Sequence, residues 1–274
     1  MEKTGALSIR NAGKIYDPEG IHIVAVEDVS LEIEAGEFFV LVGPSGCGKT
    51  TLLNVIAGFD QLTSGAINMD GNPLASPGKR LRPGPDRMVV FQHGALFPWK
   101  SVLWNITCGP VKQGRMSVEA AKKQAREFLA RVGLHGIEDQ YPEALSGGQK
   151  RRVEIIRALM NDPKILLLDE PFRALDALTK SVVQEHLLEL YDFSPKTVFF
   201  ITHDLEEAIF LGDRVAIMTT RPGSIKKVVR VDIPRPRDYR VLTSSRFLKL
   251  KAELGKAIHD EAQKAFEAGE RELA

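Results

Sequence analysis

The sequence predicts an α/β fold built on a mainly parallel sheet with helices on both faces. Three observations carry this. Short apolar runs at 38–42, 88–91, 165–168, 197–201 and 214–218 alternate with helical stretches, and strands separated by helices pair in parallel. The run at 38–42, FFVLV, is continuous rather than alternating, the pattern of a strand buried on both faces. A Gly-rich loop at 43–48 then joins that strand to a helix starting at Lys49.

The remaining elements follow in order. Residues 7–10 and 22–33 read as strands. In the second, Val24, Val26, Val29, Leu31 and Ile33 are apolar among polar neighbours, roughly period two. Ala35-Gly36 is a turn, and 49–57 is helical. Residues 60–86, rich in Gly and Pro, read as hairpins and loops. Helical periodicity returns at 117–132, with Phe128, Leu129 and Val132 on one side, and again at 176–190 and 205–211. Beyond about residue 224 the character changes: a strand, an Arg-rich segment IPRPRDYR, and an amphipathic helix over 244–266. That helix places Phe247, Leu250, Leu254, Ile258 and Ala265 on one face. There is no internal repeat and no low-complexity segment.

Bulk properties narrow the function classes. The chain has 274 residues, 43% hydrophobic and 27% charged, with a formal net charge of +1, so nothing global points to DNA or RNA as a partner. Its two cysteines, Cys47 and Cys108, form neither a disulfide framework nor a zinc motif, and they fit a reducing compartment. Residues 1–10 lack the apolar core of a secretory signal. No uninterrupted apolar run reaches the length of a membrane span. Any service to a membrane is expected to run through a partner.

Gly43-Pro44-Ser45-Gly46-Cys47-Gly48-Lys49-Thr50 matches GxxxxGK[ST] between a strand and a helix. A random chain of this length would match about once in a hundred. Glycines at 43, 46 and 48 let backbone N–H groups wrap phosphates, and the helix N-terminus adds partial positive charge. Lys49 is expected to reach the β- and γ-phosphates, and the Thr50 hydroxyl to ligate Mg²⁺. Cys47 reads as a small filler that contacts the nucleotide through its backbone. Downstream, an apolar strand ends in Asp169-Glu170. It delivers two carboxylates to the sheet edge that carries the phosphate loop. Asp169 is placed to hold Mg²⁺, and Glu170 to orient or deprotonate an attacking water.

Leu145-Ser146-Gly147-Gly148-Gln149, followed by the helical KRRVEIIRALM, resembles the LSGGQ signature of the ABC ATPases. Physically it is a second glycine-bearing helix N-terminus suited to phosphate. The resemblance spans about residues 7–225, and the other family motifs fall in the family's order. It implies a P-loop NTPase fold with an antiparallel β subdomain and an inserted α-helical subdomain at about 95–160. Residues 226–274 would form a C-terminal strand, linker and helix. It also implies ATP and Mg²⁺ as cofactors, with two subunits packed head to tail. Ser146, Gly147, Gly148 and Gln149 of one subunit would then meet the ATP bound at 43–51 of the other. Tyr16 resembles the aromatic that stacks on adenine, and Thr51 belongs to the phosphate site. Gln92 resembles the Q-loop residue that senses Mg²⁺ or water, Asp176 the D-loop acid, and His203 the histidine that contacts the γ-phosphate. Arg173 departs from the pattern, standing where the family usually carries a small residue. It reads either as a surface side chain without a role or as one reaching across the dimer or to the partner.

Within the family, the segments around Phe97-Pro98-Trp99, DEPFRALDALTK and DRVAIMTTRPGSI resemble the importers of nitrate, sulfonates, taurine and related small anions. The partners implied are a second ATPase subunit (a copy or a related chain), integral membrane permease subunits and, indirectly, a solute-binding protein. The location implied is the cytoplasmic side of the cell membrane. The alternative within the family is a soluble ATPase in DNA repair or translation. Such relatives usually carry a long coiled-coil insertion or two cassettes in one chain, and the sequence has neither.

Overall fold

The structure, a computed structural model, describes residues 3–79 and 81–267. The chain opens with β1 (Leu7–Tyr16), β2 (Ile23–Ile33) and β3 (Phe38–Val42), then α1 (Lys49–Ala57), β4 (Ser64–Met69), β5 (Asn72–Ala75) and β6 (Arg87–Val90). Three helices follow: α2 (Val102–Lys112), α3 (Val118–Arg131) and α4 (Gly147–Leu159). Strands and helices then alternate through β7 (Ile165–Asp169), α5 (Ala177–Phe193), β8 (Thr197–Thr202), α6 (Leu205–Leu211), β9 (Arg214–Met218), β10 (Ile225–Arg230) and α7 (Ser245–Glu267).

Two sheets form. One is antiparallel, in the order β2-β1-β4-β5, and the other runs β10-β9-β3-β8-β7-β6. In the second, every pair is parallel except β10 with β9 at the edge. The continuous apolar run of β3 is buried along its whole length, as its pattern requires. Alternation sorts its side chains: Phe39 and Leu41 join α1 and the antiparallel sheet in one core. Phe38, Val40 and Val42 join the helices from α2 to α7 in the other. β7 and β8 divide in the same way, with Ile165, Leu167, Phe199 and Ile201 on the first side and Leu166, Leu168, Val198 and Phe200 on the second.

Two elements depart from the sequence expectation. β1 continues past residue 10 to Tyr16, through register shifts around Ala12 and Lys14. Its bulged middle, with Asn11 at φ 46°, breaks the period-two pattern by which a strand is recognised. Residues 102–112, inside the helical subdomain expected at about 95–160, were given no helix of their own, and the Gly109-Pro110 pair near their end would disfavour one. The helix forms all the same. Pro110 lies in its last turn, and the missing Cβ of Gly109 admits Asn161, whose Oδ1 would stand 2.3 Å from such an atom. Ser101 caps α2 by accepting from the Trp104 N–H at 3.3 Å.

The tail packs on its own chain. Phe247, Leu250 and Leu254 of α7 are buried in the second core, with Ile258 against it. The Ala265 side chain, expected on the same face, lies outside the described residues. Phe247→Ala is expected to lower stability by about 3–5 kcal/mol, because the fully enclosed ring leaves a cavity. Urea unfolding of the two proteins measures this, and equal midpoints would mean that α7 is not part of the cooperative core.

Candidate nucleotide-binding site

Parallel pairing aligns the carboxyl ends of the central strands. Val42 pairs with Thr202, and Asp169 with Ile201. The phosphate loop after β3, the two acids at the end of β7 and His203 after β8 therefore meet at one edge. A cavity of about 380 Å³ opens there. Tyr16, Ile23 and Ala25 line it beside Ser45, Gly46, Gly48, Lys49, Thr50 and Thr51 of the loop and first helical turn. Gln92, Glu170, Arg173 and Arg221 complete the wall.

The loop is held open by its glycines. Gly48, the residue before α1, takes φ 96°, a conformation that side chains resist. A Cβ there would stand 2.5 Å from the Ala25 carbonyl oxygen. The buried Lys49 ammonium donates to the Gly43 and Pro44 carbonyl oxygens, each at 2.8 Å. It therefore bridges the loop from within and carries its charge into the cavity wall. Cys47 is buried, with its Sγ 3.6 Å from the Lys49 ammonium. Burial pushes its thiol above the ordinary value, more than the nearby Lys49 lowers it.

Thr50 Oγ1 donates to the Asp169 carboxylate at 3.2 Å. Burial, chiefly, raises the Asp169 carboxyl above its ordinary range, against the Thr50 hydrogen bond. A hydroxyl and a carboxylate in contact, with the Gln92 amide on the same cavity, form a hard oxygen donor set. This fits Mg²⁺, which takes one or two carboxylates and completes its shell with phosphates and water. No group of three His, Cys, Asp or Glu residues suited to a metal occurs among the described residues.

Glu170 sits at positive φ, 41°, with its N–H donating to the Ile201 carbonyl oxygen at 3.0 Å. Its Oε2 lies 3.2 Å from His203 Nδ1 and 3.4 Å from Arg173 Nη1. Arg173 thus turns back into its own site, an arrangement that neither sequence reading of this residue anticipated. Tyr16 donates its hydroxyl to Asp60 at 2.6 Å, and the Lys14 ammonium lies 4.8 Å from its ring centre. The ring is fixed as a platform on the cavity wall.

The signature residues are elsewhere. Ser146 and Gln149 close a capping box at the start of α4, with 3.3 Å and 2.8 Å hydrogen bonds. Gly148 is buried where a Cβ would meet Thr179 Cγ2 at 2.4 Å, so its small size also serves the α4–α5 contact. Asp176 caps α5 through the Thr179 N–H at 3.0 Å. None of Ser146, Gly147, Gly148, Gln149 and Asp176 lines the cavity of its own chain.

Sequence reasoning missed three supports. Arg151 donates to the Phe91 and Gln92 carbonyl oxygens, both at 2.7 Å, and pairs with Glu154 at 2.8 Å. Glu154 in turn accepts from the Ala95 N–H at 2.7 Å. This buried pair pins the Gln92 segment to α4, and its i,i+3 spacing was the one signal available. Around His203, Lys180 bonds Asp204 at 2.6 Å and Glu207 at 2.5 Å, and the Thr202 hydroxyl donates to Glu207. Burial raises the Glu207 carboxyl despite Lys180. Burial also works against Asp204, but the Lys180 ammonium and two backbone N–H groups outweigh it, so that carboxyl lies below its usual range. The third is Arg221, in the segment DRVAIMTTRPGSI that was read only for its family likeness.

A strand–loop–helix phosphate site with two acids at the end of another parallel strand of the same sheet, one strand removed, defines a P-loop nucleotide-binding cassette. Comparison with known proteins agrees. The ABC transporter family model matches residues 26–173. An ABC transporter ATP-binding protein of Methanocaldococcus jannaschii is 45% identical, covering 94% of this chain and 93% of its own. A nitrate import ATP-binding protein of Synechococcus elongatus is 44% identical over 91% and 90%. A taurine import ATP-binding protein of Roseobacter denitrificans is 43% identical over 82% of each. Among solved structures, a dimeric ATP-binding cassette in a post-hydrolysis state with ADP and Pi superposes with a TM-score of 0.70 at 32% identity, covering 83% of this chain and all of its own. The chain belongs to the ABC transporter family and is an ATP hydrolase of that class.

The Lys180 cluster is testable by itself. Lys180→Met leaves the buried Glu207 and the adjoining Asp204 without their cation and is expected to cost about 1–3 kcal/mol. Denaturant unfolding reads it, and an unchanged midpoint would remove the cluster from the stability of this edge.

Proposed function

We propose that the chain binds and hydrolyses Mg-ATP at the cavity beside residues 43–51, and that it drives import of a small anion (nitrate, a sulfonate, taurine or similar) through a separate membrane permease. The observation that carries this is the separation of two phosphate-binding helix termini on one chain. The cavity and the Ser146–Gln149 terminus do not meet within the monomer, so a second ATPase subunit, a copy or a related chain, completes each site head to tail.

In this reading Tyr16 stacks on the base, a contact worth about 1–3 kcal/mol. The loop N–H groups and Lys49 hold the phosphates. Thr50, Asp169 and Gln92 would hold Mg²⁺, which when bound would supply neutralisation of the phosphate charge. Glu170 takes the proton of a water attacking the γ-phosphorus in line, and the bond to the β–γ bridging oxygen breaks to leave ADP and phosphate. His203, 3.2 Å from Glu170 Oε2, orients that carboxylate and reaches the γ-phosphate. Ser146, Gly147, Gly148 and Gln149 of the second subunit close the site, and Asp176 lies at the same dimer contact. Catalysis is positioning and charge stabilisation.

Coupling to the permease runs through the Gln92 segment. Exposed aromatics surround it: Trp99 is 68% exposed, Phe97 packs on Trp99 and Trp104, and Phe59 stacks on Phe91. Such a patch suits an apolar helix of a partner. No helix among the described residues is long and apolar enough to cross a membrane; in this reading the channel belongs to the partner, and the chain works at the cytoplasmic face. Relatives named for nitrate and for taurine are almost equally similar to this chain. The solute is therefore chosen by the permease and a solute-binding protein.

Glu170→Gln is expected to bind ATP, accumulate as a closed dimer and lose about a hundred- to a thousandfold in turnover. Phosphate release and size-exclusion chromatography with ATP check it, and full turnover would remove Glu170 from the reaction. Lys49→Ala is expected to lose nucleotide binding. Purification of the tagged chain from native membranes in mild detergent tests the transport reading. A multi-span membrane protein in stoichiometric yield supports it. Recovery of ribosomes, nucleic acid or soluble proteins alone overturns it.

A further inference from the structure

The segment joining β9 to β10, residues 219–224, is built as a rigid wall of the cavity. The Thr219 N–H donates to the Ser224 carbonyl oxygen at 2.8 Å, and the Thr219 hydroxyl donates to the Pro222 carbonyl oxygen at 2.9 Å. Gly223 ties the segment to β2: its N–H donates to the Ala25 carbonyl oxygen at 3.2 Å, and its carbonyl oxygen accepts from the Glu27 N–H at 2.9 Å. It also lies directly on the phosphate loop. A Cβ on Gly223 would stand 2.0 Å from the Cys47 carbonyl oxygen, so only glycine admits this approach.

This packing sets Arg221 over Gly46. A Cβ on Gly46 would lie 3.2 Å from Arg221 Nη2, and the guanidinium lines the cavity with Tyr16, Ile23 and Lys49. The other cations of the cavity are engaged, Lys49 with loop carbonyl oxygens and Arg173 with Glu170. Arg221 makes no side-chain hydrogen bond or ion pair among the described residues. Its backbone neighbour is held from the opposite side: Glu261 of α7, 2% exposed, accepts from the Thr220 N–H at 3.4 Å. Glu261 also pairs with Lys226 at 2.8 Å and Lys264 at 3.0 Å.

We propose that Arg221 is a nucleotide-binding residue whose guanidinium pairs with the α- and β-phosphate oxygens, and that Glu261 is a positioning residue that holds its loop through α7. The proposal rests on the reading of the cavity as the nucleotide site. In that reading the base end lies at Tyr16, Ile23 and Ala25 and the reacting end at Thr50, Gln92 and Glu170, all of which line the cavity. Gly223 binds the loop to Ala25, so Arg221 serves the base end of the phosphate chain. There the loop N–H groups cradle the α- and β-phosphates, and a guanidinium offers forked donors to such oxygens. The contact is common to ADP and ATP, unlike contacts to the γ-phosphate.

Calorimetric titration of the full chain with MgADP and with a non-hydrolysable MgATP analogue tests this, on R221A, R221K, E261A and R221A/E261A. R221A is expected to weaken both nucleotides by the same factor, about tenfold, and R221K by a smaller one while unfolding at the wild-type temperature. E261A is expected to give a smaller loss, carried by KM rather than kcat, and to add nothing in the R221A background, as two residues acting through one contact must. Wild-type ADP affinity in R221A and R221K overturns the assignment of Arg221. Full additivity of E261A with R221A overturns the positioning role. K49A serves as the control: retention of ADP affinity there overturns the cavity assignment itself, whereas its loss beside an unaffected R221A condemns the Arg221 proposal alone.

Discussion

Every feature of the candidate site depends on the parallel register of β3, β7 and β8. Because these strands run the same way and are buried on both faces, their carboxyl ends fall at one edge. Val42 opposite Thr202 and Asp169 opposite Ile201 bring two acids and a histidine to a loop that lies more than a hundred residues before them in the chain. The Thr50–Asp169 hydrogen bond then ties the first turn of α1 to the end of β7. A slip of one residue in either ladder would turn the alternating side chains to the wrong core, so the two apolar cores enforce the geometry of the polar edge.

A second constraint joins that edge to the helices. Arg151 and Glu154 lie on α4, whose N-terminus bears the signature. They hold the backbone on either side of Gln92, and Arg157 donates to the Ala95 carbonyl oxygen at 2.7 Å. A buried ion pair is retained at a desolvation cost unless its remaining hydrogen bonds are satisfied, and here the loop backbone satisfies them. Signature helix, Gln92 and the exposed aromatics around Trp99 thus form one mechanical unit. If, as proposed, a second subunit closes on the signature, a shift of α4 would be passed to the aromatic patch through these contacts.

The C-terminal segment gains a place in the same scheme. α7 buries Phe247, Leu250 and Leu254 against the cassette's own core. Its Glu261 meets the loop that leans on the phosphate site. The amphipathic helix read from the sequence thus packs, in the structure, on its own domain.

Local pattern determined much of this protein. The continuous run at 38–42, the Gly-rich loop after it, the acids at 169–170 and the helix cap at Ser146 are each defined by neighbours within a few residues, so their chemistry is legible without a fold. Longer-range features were not. α2 was not picked out as a separate helix within the expected helical subdomain; its Gly109-Pro110 pair falls in the last turn, where Asn161 packs against the glycine. The length of β1 was hidden by its bulge. Arg173, Lys180 and Arg221 lie in segments whose family likeness was legible, but what each side chain faces was not, since that depends on how the chain packs around the site. The sequence alone thus determined the strands, the phosphate loop and the family they mark. Tertiary structure decided which charges face Glu170, what anchors Gln92 and which arginine looks onto the loop, because hydrogen bonds between distant segments depend on register and packing that no local window contains.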